Sequence, residues 1–179
     1  MFGFHQRKRI SAVKYQQDMN KLWKENSEMV VQLINHAIVE DETARQWGAR
    51  LANNQQSIAN GIIYFYGEKE KISRLFNQFI QYIGEAIDVF IWNKDAVKLR
   101  IRWCKKADEL SDSLHELSSW TVRSYFYGQM SLIEALIKGF KNKDMEAVKH
   151  YHQQLLNNNI DLSAEFYKGV IADNRKSFI

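Results

Sequence analysis

The chain has 179 residues and a mass of 21.1 kDa, enough for one domain with a substantial core and short for two. Hydrophobic residues make up 45% and charged residues 26%, a balance that excludes intrinsic disorder, while a formal net charge of +4 permits an anionic partner without requiring one. Proline is absent and Cys104 is the sole cysteine, so the strongest helix breaker is missing and neither an intramolecular disulfide nor a cysteine-built zinc site can form.

These constraints predict an all-α chain. Residues 1–10 carry Arg7, Lys8 and Arg9 and no apolar run, so they read as a flexible basic arm and not as a secretory signal. Ser11 is placed to cap a first helix with the stripe Tyr15, Met19, Leu22, Trp23, Val30 and Ile34, in helical steps. A turn at Glu40-Asp41 leads to a second helix with Leu51, Ile58, Ile62 and Phe65 inward, stopped by Gly67. The third helix carries Ile72, Leu75, Phe76, Phe79, Ile83, Ile87 and Phe90. It turns at Asn93-Lys94-Asp95, where Asp95 is placed to cap the fourth, with Trp103, Ala107, Leu110, Leu114 and Leu117 inward.

Ser118-Ser119-Trp120 reads as a loop and Thr121 as the cap of a fifth helix, which buries Phe126, Ile133, Leu136 and Ile137. Asn142-Lys143-Asp144 repeats the earlier turn, and Asp144 caps a sixth helix with Val148, Leu155, Leu162, Phe166 and Val170 inward. Residues 173–179 are expected to fray. The expectation is an up-and-down bundle of about six helices in three αα-hairpins, one domain over 11–172 with no internal linker. The densest apolar run, Ile62 to Tyr66, is far short of the roughly 18–20 residues that span a bilayer, so a soluble, intracellular protein is expected.

The residues that carry chemistry are sparse. A carboxylate-bridged di-iron bundle needs paired Glu-x-x-His motifs, and the chain has none. Asp112 and His115 form the nearest approximation and read as a solvent-facing pair. His150 and His152 diverge by about 200° on a helix and cannot easily share a metal. Cys104 has Arg100, Lys105 and Lys106 nearby but no base placed by local spacing, so it reads as packing. No catalytic residue, metal ligand or cofactor is assigned.

Two sets of residues remain as candidate sites. Asn26, Asn54, Gln55 and Gln129 fall where the apolar phase calls for a hydrophobe, and they come from different helices. They read as a hydrogen-bonded polar core layer or, alternatively, as the lining of a small-ligand or metal pocket. Lys94, Lys98, Arg102 and Lys105 step along the fourth helix, while Lys141 and Lys143 crowd the tip of the last hairpin. If the hairpins run in parallel, these form one basic rim suited to nucleic acid or an anionic surface. Trp47, Trp92 and Trp120, near helix ends, are candidates for an exposed aromatic contact.

Short motifs extend the reading. Leu22-Trp23-Lys24-Glu25, the segment from Asn53 to Ile58, Tyr64-Phe65-Tyr66-Gly67, Trp103 with Ala107-Asp108, and Gly169-Val170 together resemble a group of functionally uncharacterised bacterial helical-bundle proteins. The resemblance runs from about Leu22 to Val170 and implies a bundle without an assigned activity. The family's histidines fall on Asn26, near Phe79 and on Gln129, and its motif asparagine on Lys106. A polar or metal site built on those histidines would therefore be dismantled here. The function expected is that of a non-enzymatic structural or protein-interaction module, with an unknown protein partner or self-association.

Overall fold

The computed structural model describes residues 10–40, 42–91 and 96–179. Among them run six α-helices: α1 (Ala12–Ile38), α2 (Thr43–Tyr66), α3 (Lys69–Ile91), α4 (Ala96–Ser118), α5 (Arg123–Lys141) and α6 (Met145–Asp173). The all-α bundle expected from composition and periodicity is what forms. The arm over residues 1–9, Asp41, Trp92 and the Asn93-Lys94-Asp95 turn lie outside the described residues, as do the side chains of Phe79 and Phe90.

Local chemistry sets several helix ends. Ser11 Oγ accepts from the Lys14 amide at the start of α1, and Asp144 Oδ1 accepts from the Ala147 amide at the start of α6. Gly67 ends α2 at φ 72°, a left-handed conformation that costs little only without a Cβ, and its N–H bonds the Ile63 carbonyl at 2.8 Å. The start of α5 differs from expectation. Val122, not Thr121, is the N-cap residue and offers no side-chain bond. Val122 is itself buried in the core, so packing rather than capping places this helix start.

Helix α1 lies at the centre of the bundle. Its inward face, Tyr15, Met19, Trp23, Val30, Val31 and Ile34, packs mainly on α2 and α6 and also touches α3 and α5. It meets α6 about as extensively as α5 does, and α2 meets α3 as extensively as α3 meets α4, so helix contacts do not divide by hairpin. Trp23 stacks on Phe166 with ring centroids 5.8 Å apart, and Phe76 and Trp120 close on the same Phe166 ring. Removing a ring of this size from a core costs about 3–5 kcal/mol.

One sequence expectation is corrected where the start of α1 meets the last residues of the chain. Trp120 is not an exposed aromatic: it is 4% accessible, edge-on to Phe166 and to Tyr66. Gly169 makes room for it, since a Cβ there would come within 1.9 Å of Trp120 Nε1. After a 3-10 turn over Arg175–Ser177, Phe178 pairs as a parallel bridge with Ile10 and stacks on Phe65 at 4.8 Å. The residue pair before α1 and the last residues are thereby joined, through backbone bonds from Ile10 N–H to Ser177 and from Ile179 N–H to Ile10.

Candidate functional sites in the core and on α4

The polar residues singled out within the apolar stripes are all buried. Asn26 on α1 donates through Nδ2 to Asn54 Oδ1 on α2 at 3.0 Å, and Asn54 Nδ2 donates to the Leu22 carbonyl at 2.9 Å. Asn159 on α6 joins these to α5. Its Nδ2 donates to Ser27 Oγ at 2.8 Å and to Asn26 Oδ1 at 3.3 Å, while its Oδ1 accepts from Gln129 Nε2. Ser27 Oγ in turn donates to the Trp23 carbonyl at 3.2 Å. Four helices thus share one amide layer inside the hydrophobic core. A buried amide without a partner costs about 1–3 kcal/mol, so the layer favours the one helix register that satisfies it.

Asn26, Asn54 and Gln129 are brought together as the apolar phase implied, but the residue that links them, Asn159, was not among the candidates. Its signal was present: Asn159 sits on the phase of Leu155, Leu162 and Phe166. Gln55 stands apart. It is 0% exposed, and among the described residues neither its Oε1 nor its Nε2 has a hydrogen-bond partner; Gln129 Oε1 also lacks one. A void in the described core is apolar, about 10 Å³ between Trp23, Phe76, Leu110, Leu114, Phe126 and Phe166, too small for more than a single water.

The cationic candidates are interleaved with acids. Arg102 pairs with Glu85 at 3.0 Å, Lys106 reaches the same oxygen at 2.6 Å, and Lys105 pairs with Glu109 at 3.6 Å. Arg100 and Lys138 converge on Glu134. Lys141 Nζ donates to the Ile91 carbonyl at 3.1 Å, so the ends of α3 and α5 do share one end of the bundle. Lys143 is exposed there with a left-handed φ of 56°, Lys98 is exposed on α4, and Lys94 lies outside the described residues.

The outer face of α4 combines two features. Val97 and Ile101, one turn apart, are 68% and 65% exposed, high for large aliphatic side chains. Beside them, Lys98, Arg102 and Lys105 occupy the first half of the helix, while Glu109, Asp112 and Glu116 occupy the second. This order opposes the helix dipole, whose N-terminus favours anions and whose C-terminus favours cations; a charge misplaced in an end turn costs about 0.3–1 kcal/mol.

The described histidines and the cysteine are placed separately. Asp112 is held by Arg123, whereas His115 Nδ1 lies 3.3 Å from the Trp120 carbonyl. His150 contacts Gln154, and His152 Nε2 lies 3.2 Å from Glu28 on α1. Trp47 is partly buried, lying against His36 with Arg50 stacked over its ring at 4.6 Å. Cys104 is half-buried. Among the described residues, no group of three or more histidine, cysteine or acidic side chains is placed to hold a metal, and no helix is long and apolar enough to cross a membrane. At the opposite end, burial pushes the phenols of Tyr15 and Tyr66 well above their usual range, and the Tyr66 bond to Asp173 at 2.6 Å adds to the second shift.

No known family's model matches the chain, and no curated protein sequence or solved structure matches it either.

Proposed function

We propose that this chain is a non-enzymatic interaction module that joins protein to protein, a second copy of itself included, through the outer face of α4. The observation that carries this reading is the exposed aliphatic pair Val97 and Ile101, set among charges on a helix that packs chiefly on α3. Covering the pair would remove apolar surface from water at about 25 cal/mol per Å². The amide layer supports the same reading from the inside. Asn26, Asn54 and Asn159 direct their hydrogen-bonding groups at one another and at the backbone, as a register-setting layer would. A single cysteine and the absence of a disulfide suit a reducing, intracellular setting.

The test is sedimentation equilibrium of the wild type and of the Val97→Ser/Ile101→Ser variant over a wide concentration range. Self-association that weakens in the variant supports the reading. A wild type that stays monomeric throughout overturns it in its self-associating form.

A second reading, a small-ligand bundle, is favoured by the unpartnered, fully buried amide of Gln55. A thermal-shift screen over metal ions and small polar metabolites supports it only if a stabilising compound loses its effect in Gln55→Leu. The likeness to the helical-bundle family is proposed as kinship of fold. Asn26 and Gln129, at positions of family histidines, both bond to Asn159 here, so histidines at those places would face a common centre. An Asn26→His/Gln129→His variant that binds cobalt where the wild type does not would support that kinship.

A further inference from the structure

The order of charges along α4 suits one occupant of its outer face in particular. On a helix advancing 100° per residue, Lys98, Arg102, Lys105, Glu109, Asp112 and Glu116 fall within a strip about 80° wide. The strip faces away from the buried Trp103, Ala107, Leu110 and Leu114. Its charges are arranged symmetrically with opposite sign about Ala107. Lys105 and Glu109 stand two residues either side, Arg102 and Asp112 five, and Lys98 and Glu116 nine. A helix with this pattern is complementary to itself when turned end over end.

Resting on the interaction-module reading above, we infer that α4 docks antiparallel on α4 of a second copy about a two-fold axis level with Ala107. Each pair is then made twice, Lys98 to Glu116, Arg102 to Asp112 and Lys105 to Glu109, as an isologous interface requires. The antiparallel partner also brings its acidic half to the basic start of α4 and its basic half to the acidic end. That relieves the opposition between the strip and the helix's own dipole. Val97 and Ile101 lie along one edge of the strip and supply apolar area that ion pairs in water lack.

The contacts that Arg102, Lys105, Glu109, Asp112 and Glu116 make within one copy do not prevent this. Lys105 and Glu109 pair at 3.6 Å with side chains 76% and 56% exposed, and Lys71 reaches Glu116 only at 4.0 Å. Exposed pairs of this kind are weak and exchange readily. Arg102 is about half-exposed and has five N–H donors, enough for Glu85 and a carboxylate from the other copy together. Arg123 holds Asp112 from one side, leaving that carboxylate's capacity for a second donor.

The experiment uses the full chain, with circular dichroism confirming that each variant keeps its helices. A dimer is expected at low salt, with an association constant falling at least about tenfold at high salt as the pairs are screened. Glu109→Lys/Glu116→Lys and Lys98→Glu/Lys105→Glu should each self-associate at least about tenfold more weakly, and an equimolar mixture of the two should restore a dimer. Zero-length carbodiimide cross-linking fixes the orientation. Lys98 and Glu116 are about 27 Å apart along one helix, so a link between them can only join two copies. Dimers that ignore both charge reversals, or that give no Lys98–Glu116 link, overturn the antiparallel α4 pairing and leave the interaction module standing. A wild type that is monomeric at every concentration and salt overturns both.

Discussion

Replacing Asn159 by leucine tests whether the amide layer holds the bundle in register. Leucine has the same branched shape and number of side-chain heavy atoms, so no cavity is left and the hydrogen bonds are what is lost, with the bulk of its methyl groups able only to add to the cost. Asn159 accepts from Gln129 Nε2 and donates to Asn26 Oδ1 and Ser27 Oγ. Ser27 keeps its bond to the Trp23 carbonyl, and Asn26 keeps its donation to Asn54. The groups newly left without a partner are therefore Gln129 Nε2 and Asn26 Oδ1. At about 1–3 kcal/mol for each orphaned buried group, Asn159→Leu should cost about 2–6 kcal/mol. That is a large share of the roughly 5–15 kcal/mol that stabilises an ordinary domain. Urea denaturation followed by circular dichroism should show a lower midpoint at an unchanged m-value. Adding Gln129→Leu removes one orphan, and the double variant should regain part of the loss. A cost below about 1 kcal/mol for Asn159→Leu, or losses that simply add in the double variant, would refute the layer as a coupled network.

Three further outcomes follow from the same physical account. Gly169→Ala should destabilise by about 1–3 kcal/mol because its methyl meets the Trp120 ring, whereas Gly48→Ala, with nothing within 4 Å, should stabilise by about 0.5–1 kcal/mol; thermal melts of the two should move in opposite directions. Gln55→Leu should be neutral or stabilising because it removes two polar atoms without partners, and a clear loss in its urea midpoint would instead indicate a bound water or ligand. Burial raises the Tyr15 phenol in the folded chain, so the folded state holds that proton above pH 10 where the unfolded chain releases it. The stability Tyr15 contributes is complete below about pH 10 and declines above it by up to about 1.4 kcal/mol per pH unit. Denaturation across pH 9 to 12 should show a shallower decline for Tyr15→Phe.

The elements were readable where one residue type carries its own physical reason. Ser11, Gly67 and Asp144 end helices through local hydrogen bonds or a left-handed φ, and these depend on near neighbours only. Polar residues on an apolar phase were enough to suggest that Asn26, Asn54 and Gln129 meet. Asn159 was hidden in the run Asn157-Asn158-Asn159, where composition suggests a solvated stretch and only phase marks the buried member. Ser27 gave no signal because a small hydroxyl suits either face of a helix.

Trp120 was misplaced for a different reason. Its burial depends on the space left by Gly169 on α6, 49 positions away, and no pattern near Trp120 records that. The contacts of Phe178 with Phe65 and Tyr15 are likewise ones that exist only once the bundle has formed. On α4, the sequence suggested a basic rim built from its lysines and arginine alone. The structure places both halves of the charge pattern on one outward strip, next to two exposed aliphatic residues, and that changes what the strip is suited to meet.

Hydrogen exchange of the unmodified chain at low and high protein concentration tests the central claim most directly. Peptides spanning Val97 to Glu116 should exchange more slowly at high concentration, with the difference removed by salt and with α1 and α2 unaffected. Exchange in α4 that is the same at both concentrations would contradict the account.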